Sequence, residues 1–132
     1  MGIDAALAVQ DAFYAALNVP AVTDLAPVMQ HVPQDTEPPL VRIGKIDLEP
    51  AGGKDGGLDR ATVEVLTDVR RPRRADLYAL MSRVRTALDG VAVEAAGAAI
   101  STPEFESQSD DLLEDGQTYE GTQVFSCFVQ EI

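Results

Sequence analysis

The sequence predicts an α+β fold in which a mostly antiparallel sheet of four to five strands packs against two helices. Two segments have apolar residues at helical spacing, and several others alternate apolar and polar residues. Helices that flank a group of strands, rather than alternate with each strand, are typical of this class. The chain has 132 residues, a usual size for one domain, and we predict a single domain over residues 1–132 in the order α-β-β-α-β-β-β.

The first predicted helix spans Ile3 to Leu17. Apolar side chains recur there at spacings of three, four and seven residues, and Asn18 and Pro20 end the pattern. The next segment, Ala21 to Pro39, contains four prolines and has no regular period. It is therefore predicted to be an irregular connection over the core.

Two strands are predicted next, joined by a hairpin. Leu40 to Leu48 alternates except at Gly44, where a bulge would keep the apolar side chains on one face. Glu49 to Gly57 is rich in glycine and predicts a flexible tip, and Arg60 to Val69 is a regular strand. The inward residues are predicted to be Val41, Ile43, Ile46 and Leu48 on the first strand, and Ala61, Val63, Val65, Thr67 and Val69 on the second.

A second helix precedes the remaining strands. Its apolar stripe follows the i, i+3, i+4, i+7, i+11 pattern, and Gly90 comes next as a candidate C-terminal cap. The stripe consists of Leu77, Leu80, Met81, Val84 and Leu88.

The last third of the chain predicts strands separated by a turn. Val91 to Ala95 is predicted to be a short strand. Ala98 to Ser107 is a second candidate, which Pro103 places at an edge or a bulge. Ser109 to Gly116 is predicted to be an acidic turn, and Thr118 to Glu131 a long final strand.

Charge narrows the possible partners. The chain carries 22 acidic and 10 basic residues, which gives a net charge of −12. Nucleic acids and anionic membranes attract basic surfaces, so both are disfavoured as partners. The first ten residues lack the basic region of a secretory signal, and no uncharged stretch is long enough to span a bilayer. We therefore expect a soluble protein of cytoplasmic type with no membrane partner.

Two loops resemble ligand-binding motifs without matching them. In the hairpin tip, Lys54 is followed by Asp55 instead of Ser or Thr, and a carboxylate there would repel phosphate. In the segment Asp110 to Gly116, Leu112 or Leu113 falls where an EF-hand needs an oxygen ligand. Solvated loops are expected at both places.

The sequence lacks catalytic and metal-binding patterns. His31 and Cys127 are the single histidine and cysteine, and neither lies in a pattern of nucleophile, base and orienting acid. Two such residues are too few for a zinc site. Cys127, in mid-strand, is predicted to be a buried and unreactive thiol that forms no internal disulfide. We predict no enzyme, cofactor or metal, and an enzyme is kept as a minor alternative.

Basic residues concentrate in one region. Four of them surround Pro72 at the start of the second helix, where positive charge opposes the helix dipole and calls for a compensating partner. That partner is either the chain's own acidic turn, Asp110 to Asp115, or the acidic surface of a neighbouring subunit; nucleic acid is disfavoured by the overall charge. The group consists of Arg70, Arg71, Arg73, Arg74, Arg83 and Arg85.

The order of these segments resembles a known family. An alanine-rich helix (IDAALAVQDAFYAAL) leads to a strand (PPLVRIGKI). A strand and arginine-rich helix (ATVEVLTDVRRPRRADLYALMSRVRTALDG) follow, and a long strand (TYEGTQVFSCFVQEI) ends the chain. The whole resembles tail-terminator or tail-completion proteins of long-tailed bacteriophages and gene transfer agents.

The resemblance implies a structural role in a virion. Such proteins form a hexameric ring that caps the tail tube and joins it to the head-side connector, with DNA only passing through the lumen and no cofactor or reaction. The implied partners are further copies of the chain, the tail tube protein and the connector protein, at a tail–head junction assembled in the bacterial cytoplasm.

The resemblance also suggests which residues make contacts, and rival interpretations stay open. The expected subunit-interface residues are Arg70, Arg71, Arg73 and Arg74. The expected partner-contacting loop residues are Lys54, Asp55, Asp110, Asp111, Glu114 and Asp115. The main alternative is an acidic DNA mimic or another protein-binding module without a ring; a small-molecule- or peptide-binding domain is a further one.

Overall fold

The structure, a computed structural model, describes residues 4–30, 32–33, 36–52, 57–70 and 73–131. Six strands form one sheet. Their spatial order is β1 (Val28–Met29), β2 (Leu40–Pro50), β3 (Leu58–Arg70), β6 (Thr118–Glu131) and β4 (Ala98–Ile100), and β5 (Glu104–Leu112) pairs with β6 beside β4. The helices pack on one face of this sheet around one apolar core. The predicted α+β class is confirmed, and the structure adds a one-turn helix and one very short strand, Val28–Met29, that the sequence did not predict.

Two long helices supply one layer of the core. Helix α1, Ala5–Leu17, begins where the Asp4 carboxylate accepts hydrogen bonds from the N–H groups of Ala6 (3.0 Å) and Leu7 (3.3 Å). Helix α3, Arg74–Leu88, buries all five residues of its predicted stripe. Gly90 follows it with φ of +72°, the left-handed conformation in which glycine commonly follows a helix.

The segment predicted to be irregular contains two short elements. Helix α2, Pro20–Thr23, is a single turn with proline at its start. Strand β1, Val28–Met29, pairs in parallel with the beginning of β2. The proline-rich composition hid β1, because its pairing depends on contact with a strand more than ten residues later.

Three long antiparallel strands form the centre of the sheet. They are β2, Leu40–Pro50; β3, Leu58–Arg70; and β6, Thr118–Glu131. The register between β2 and β3 shifts between Ile43 and Ile46, which confirms the predicted bulge at Gly44. Leu48, predicted to face the core, is 37% exposed, because it lies in the outer part of β2, where the residues from Asp47 to Pro50 are all exposed.

Three predictions in the last third differ from the structure. Val91 to Ala95 is not a strand, although Ala95 makes one isolated bridge to Ala98. The predicted strand from Ala98 divides at Pro103 into β4, Ala98–Ile100, and β5, Glu104–Leu112. The acidic turn is shorter than predicted, because β5 pairs with β6 as far as Leu112 and so extends past the local turn signals.

The core combines aromatic rings with a buried amide. Phe125 of β6 packs edge-to-face against Phe13 (6.4 Å between centroids) and Phe105 (5.7 Å). Gln123 is fully buried, and its Nε2 donates to the carbonyl oxygen of Met81 in α3 (2.9 Å). Cys127 is buried as predicted, and burial raises the pKa of its thiol to about 11. Among the described helices, none has the length and apolar character needed to cross a membrane.

Candidate functional site

The candidate site lies where β3 ends and α3 begins. Its described arginines, Arg70, Arg73 and Arg74, are called the arginine surface below; Arg71 lies outside the described residues. Arg70 is the last residue of β3, and Arg73 and Arg74 are the N-cap and first residue of α3. The folding of one strand directly into one helix therefore brings these three cations to one end of the sheet.

Arg70 connects two loops at that end. Its Nη2 lies 2.7 Å from Oε2 of Glu37, in the segment before β2. Its Nη1 donates to Oε1 of Gln117 in the turn before β6 (3.2 Å). Both partners are exposed, so each contact contributes at most about 1 kcal/mol to stability. The Arg70 side chain is thus positioned by these contacts and stays accessible to solvent.

Arg74 makes the intramolecular match that the sequence left open. Its Nε lies 3.3 Å from Oδ2 of Asp110, and its guanidinium stacks 4.8 Å from the ring centroid of Tyr119. The Tyr78 hydroxyl donates to the same carboxylate, 3.1 Å from Oδ1. These contacts fasten the first turn of α3 to β5 and β6.

Arg73 is the least engaged of the three. Its side chain is 69% exposed, and its Nε lies 3.6 Å from Oδ1 of Asp76. As the N-cap residue it makes no side-chain capping hydrogen bond, and its charge lies at the positive end of the helix dipole. Arg73 is therefore the cation that an external carboxylate would stabilise most.

The other two arginines of the predicted group lie elsewhere. Arg83 donates from Nη1 to the backbone oxygen of Ala21 (3.0 Å). Nε of Arg85 lies 3.7 Å from Oδ2 of Asp89, and its Cζ lies 3.8 Å from the centroid of the Phe105 ring. Arg83 therefore contacts α2, and Arg85 contacts the end of α3 and β5.

The acidic residues predicted to contact partners, from Asp110 to Asp115, point in different directions. Asp110 faces α3. Asp111 lies opposite Glu120 in the register of β5 with β6, and its side chain is on the other face of the sheet. Asp115 accepts hydrogen bonds from the N–H groups of Gln117 and Thr118 and from the Thr118 hydroxyl.

These bonds give Asp115 a role in the turn itself. The hydrogen bond from the Gln117 N–H, followed by those from Thr118, lowers the pKa of the Asp115 carboxyl. Glu114 is exposed in the same turn. The predicted contact residues Lys54 and Asp55, and His31, lie outside the described residues.

Sequence reasoning missed a carboxylate pair on the outer face of the sheet. Asp68 lies directly opposite Glu120 in the pairing of β3 with β6, and Nη2 of Arg42 is 3.0 Å from Oε2 of Glu120. Burial raises the pKa of Asp68 from 3.8 to about 6; the charge of Glu120 adds to this effect and Arg42 opposes it. The pair depends on strand register, for which the sequence carries no local signal.

An apolar pocket of about 300 Å³ lies beside the arginine surface. We call it the α3 pocket. Four segments of the chain contribute to it, which explains why no sequence motif predicted it. Its lining consists of Leu25, Pro39, Val69, Ala79 and Leu80, with the charged residues Arg70 and Asp76.

The site as a whole is suited to contact another protein. It combines exposed cations, a neighbouring acidic turn and an apolar pocket, which are the ingredients of a protein interface. In the part of the chain that the structure describes, no three His, Cys, Asp or Glu side chains group together to hold a metal ion.

Comparisons with known proteins identify a family and a similar fold. The family model described as "Tail completion protein gp17" matches residues 8–130. The fold is similar to a chain in the structure titled "Virion of native gene transfer agent (GTA) particle", with a TM-score of 0.84 and 20% identity over 96% of this chain and 97% of that chain. No curated protein sequence matches the chain.

Proposed function

The chain belongs to the Tail completion protein gp17 family, and from this membership we propose that it forms a ring that caps the tail tube of a phage-like particle. The ring is hexameric and joins the tube to the head-side connector. Family membership makes the chain a structural tail protein, and the match over residues 8–130 is the observation that carries the proposal. The similar chain in a gene transfer agent virion supports a place in the virion, in assembly with head and tail proteins.

The arginine surface supplies the proposed contact between subunits. Arg70 and Arg74 have partners within their own chain, and Arg73 has a weak, exposed partner in Asp76. We assign the Arg73 charge to the acidic surface of the next subunit. A contact between the arginine surface of one copy and an acidic surface of the next joins two different surfaces, and such head-to-tail contacts close into a ring when the rotation allows it.

The acidic excess suits a channel that DNA passes without binding. A net charge of −12 gives a repulsive field toward phosphates. The turn that holds Glu114 and Asp115, and the glycine-rich hairpin, are assigned to contacts with the tube or the connector. The rival hypothesis of an acidic DNA mimic draws on the net charge alone, and the family match favours the tail role.

Charge reversal tests the interface. Arg73→Glu leaves the contacts of Arg70 and Arg74 in place, whereas Arg74→Glu would also break the attachment of α3 to Asp110. Lys45→Glu is the matched control, because Lys45 is similarly exposed and has one weak partner, Asp47 at 3.4 Å. Light scattering coupled to gel filtration, over a concentration series, measures the oligomer.

The expected outcome is a selective loss of assembly. Like charges placed against each other at an interface cost several kcal/mol, so Arg73→Glu should weaken the oligomer at least tenfold while Lys45→Glu leaves it unchanged. Equal behaviour of the two variants would refute the assignment of Arg73 to the interface. Images of the unmodified protein that show a closed complex without six-fold symmetry would refute the hexamer.

A further inference from the structure

Three charged side chains on the outer face of the sheet join its three central strands. Asp68 of β3 lies directly opposite Glu120 of β6, and Nη2 of Arg42, in β2, lies 3.0 Å from Oε2 of Glu120. Directly opposed residues in antiparallel strands have Cα atoms only about 4.5–5.5 Å apart. The two carboxyl groups are therefore close neighbours, and we call the three residues the Asp68 cluster.

The cluster contains two acids and one base. Arg42 contacts Glu120, whereas Oδ1 of Asp68 is buried without a hydrogen-bond partner among the described residues, and Leu40 faces Asp68 from β2. Like charges directly opposite each other destabilise a strand pair, and one proton on either acid removes that repulsion. Because Arg42 stabilises the charged form of Glu120, the proton resides on Asp68.

The charged groups around the cluster do not offset its second negative charge. Asp111 lies opposite Glu120 from β5 and adds a further carboxylate to the same row. Arg70, two residues beyond Asp68 on the same face of β3, contacts Glu37 at 2.7 Å. The helices pack on the other face of the sheet. Arg42 is thus the cation that serves both acids of the cluster, and it contacts one of them.

The cluster lies at the end of the sheet that leads into the arginine surface. Strand β2 begins at Leu40, β3 ends at Arg70 and β6 begins at Thr118. Each of these ends is two residues from a member of the cluster. Strand ends open locally more easily than strand centres, so the side-chain pairs at this end influence how readily it opens.

We propose that the Asp68 cluster is a pH switch that controls how firmly this end of the sheet is closed. With its proton, Asp68 donates to the Glu120 carboxylate, which Arg42 holds, and the three strands are joined. Without the proton, two carboxylates face each other beside one guanidinium, and opening of the strand ends separates them. The arginine surface, which continues from β3, is therefore held more firmly when Asp68 is protonated. The switch belongs to the single chain and does not depend on the proposed ring.

The direction and size of the effect follow from linkage. Burial and the charge of Glu120 raise the pKa of Asp68 from 3.8 to about 6, and opening returns the group to water. The proton therefore stabilises the closed form completely below about pH 4, and this contribution is lost as the pH rises through about 6. Since Asp68 is half-buried and solvent screens its charge, we expect local opening to increase roughly three- to tenfold between pH 5.0 and pH 7.5.

Amide hydrogen exchange of the full chain, read by mass spectrometry, tests the switch. Exchange at pH 5.0 and pH 7.5 is corrected for the intrinsic chemical rate and compared between the two ends of β3. Residues 66–70 open together with Asp68, whereas opening at residues 58–61, beside the glycine-rich hairpin, leaves Asp68 in place. Protection of residues 66–70 should fall roughly three- to tenfold from pH 5.0 to pH 7.5, while that of residues 58–61 stays the same.

Three variants identify the group that responds. Asp68→Asn keeps the shape of the side chain without its titration, so the protection of residues 66–70 should be equal at both pH values. Glu64→Gln is the matched control: Glu64 lies on the same face of β3 but opposite Val124 instead of a carboxylate, so the pH response should remain. Arg42→Gln removes the cation that opposes protonation of Asp68, so the midpoint of the response should move to higher pH.

Several results would overturn the proposal. An equal change at both ends of β3, or no change at either, would show that the cluster does not control local opening. A pH response that persists in Asp68→Asn, or that disappears in Glu64→Gln, would assign the response to other groups. A midpoint that does not rise in Arg42→Gln would refute the role of Arg42 in placing the proton.

Discussion

Replacing Asp68 with asparagine should remove a pH-dependent destabilisation of the native protein. The Asp68 carboxylate faces Glu120 across β3 and β6, and its Oδ1 is buried without a hydrogen-bond partner among the described residues. Burial, and then the charge of Glu120, raises the pKa of Asp68 to about 6. Asparagine keeps the shape of the side chain and removes its charge.

The sign and size of the effect follow from linkage. Because the pKa of Asp68 is raised above 3.8 in the folded state, folding favours the protonated acid. This contribution to stability is complete below about pH 4 and is lost as the pH rises through about 6. The difference corresponds to about 3 kcal/mol at about 1.4 kcal/mol per pKa unit. Since Asp68 is half-buried and solvent screens its charge, we expect about 1–2 kcal/mol.

Urea unfolding, followed by circular dichroism at pH 4 and pH 7.5, measures the difference in free energy of unfolding between Asp68→Asn and the unmodified protein. Asp68→Asn should exceed the unmodified protein in free energy of unfolding by about 1–2 kcal/mol more at pH 7.5 than at pH 4. Asp47→Asn, on the exposed part of β2, is the control for removing one negative charge from a protein of net charge −12. If the stability difference of Asp68→Asn is the same at both pH values, or if Asp47→Asn reproduces it, the reasoning is refuted.

Two further predictions concern β6 and the turn before it. A Cβ at Gly121 would collide with the thioether of Met81, so Gly121→Ala should lower the free energy of unfolding by about 1–3 kcal/mol in urea. The same change made in a Met81→Ala background should cost less, because the thioether is then absent. Asp115→Ala removes the acceptor of three hydrogen bonds, so the melting temperature should fall at pH 7. The fall should be smaller at pH 2, because the lowered pKa means that stability is lost as the carboxylate is protonated; an equal fall at both pH values would contradict this.

Elements with strong local signals were predicted well from the sequence. The stripe of α3 from Leu77 to Leu88 is buried as its spacing predicted, and the bulge at Gly44 lies where the alternation changes phase. The final strand has the predicted bounds, Thr118–Glu131. In each case the pattern within one segment was enough to determine the conformation.

Elements that depend on distant pairing were not predicted. The segment Val91 to Ala95 alternates in the sequence, but in the structure it makes one isolated bridge, from Ala95 to Ala98, and the N–H of Gly90 donates to the oxygen of Pro103. Asp110 was expected in a turn, but its pairing opposite Gly121 keeps it in β5. The α3 pocket likewise combines residues from four segments, so it exists only after the chain has folded.

The most direct test of the central claim is to image tail tubes with the protein present. Tubes assembled from tail tube protein would be incubated with this chain and examined by electron microscopy, with end views averaged. The proposed function predicts added density at one end of each tube with six-fold symmetry, and its loss with Arg73→Glu but not with Lys45→Glu. Tubes whose ends stay bare while the protein remains free in solution would contradict it.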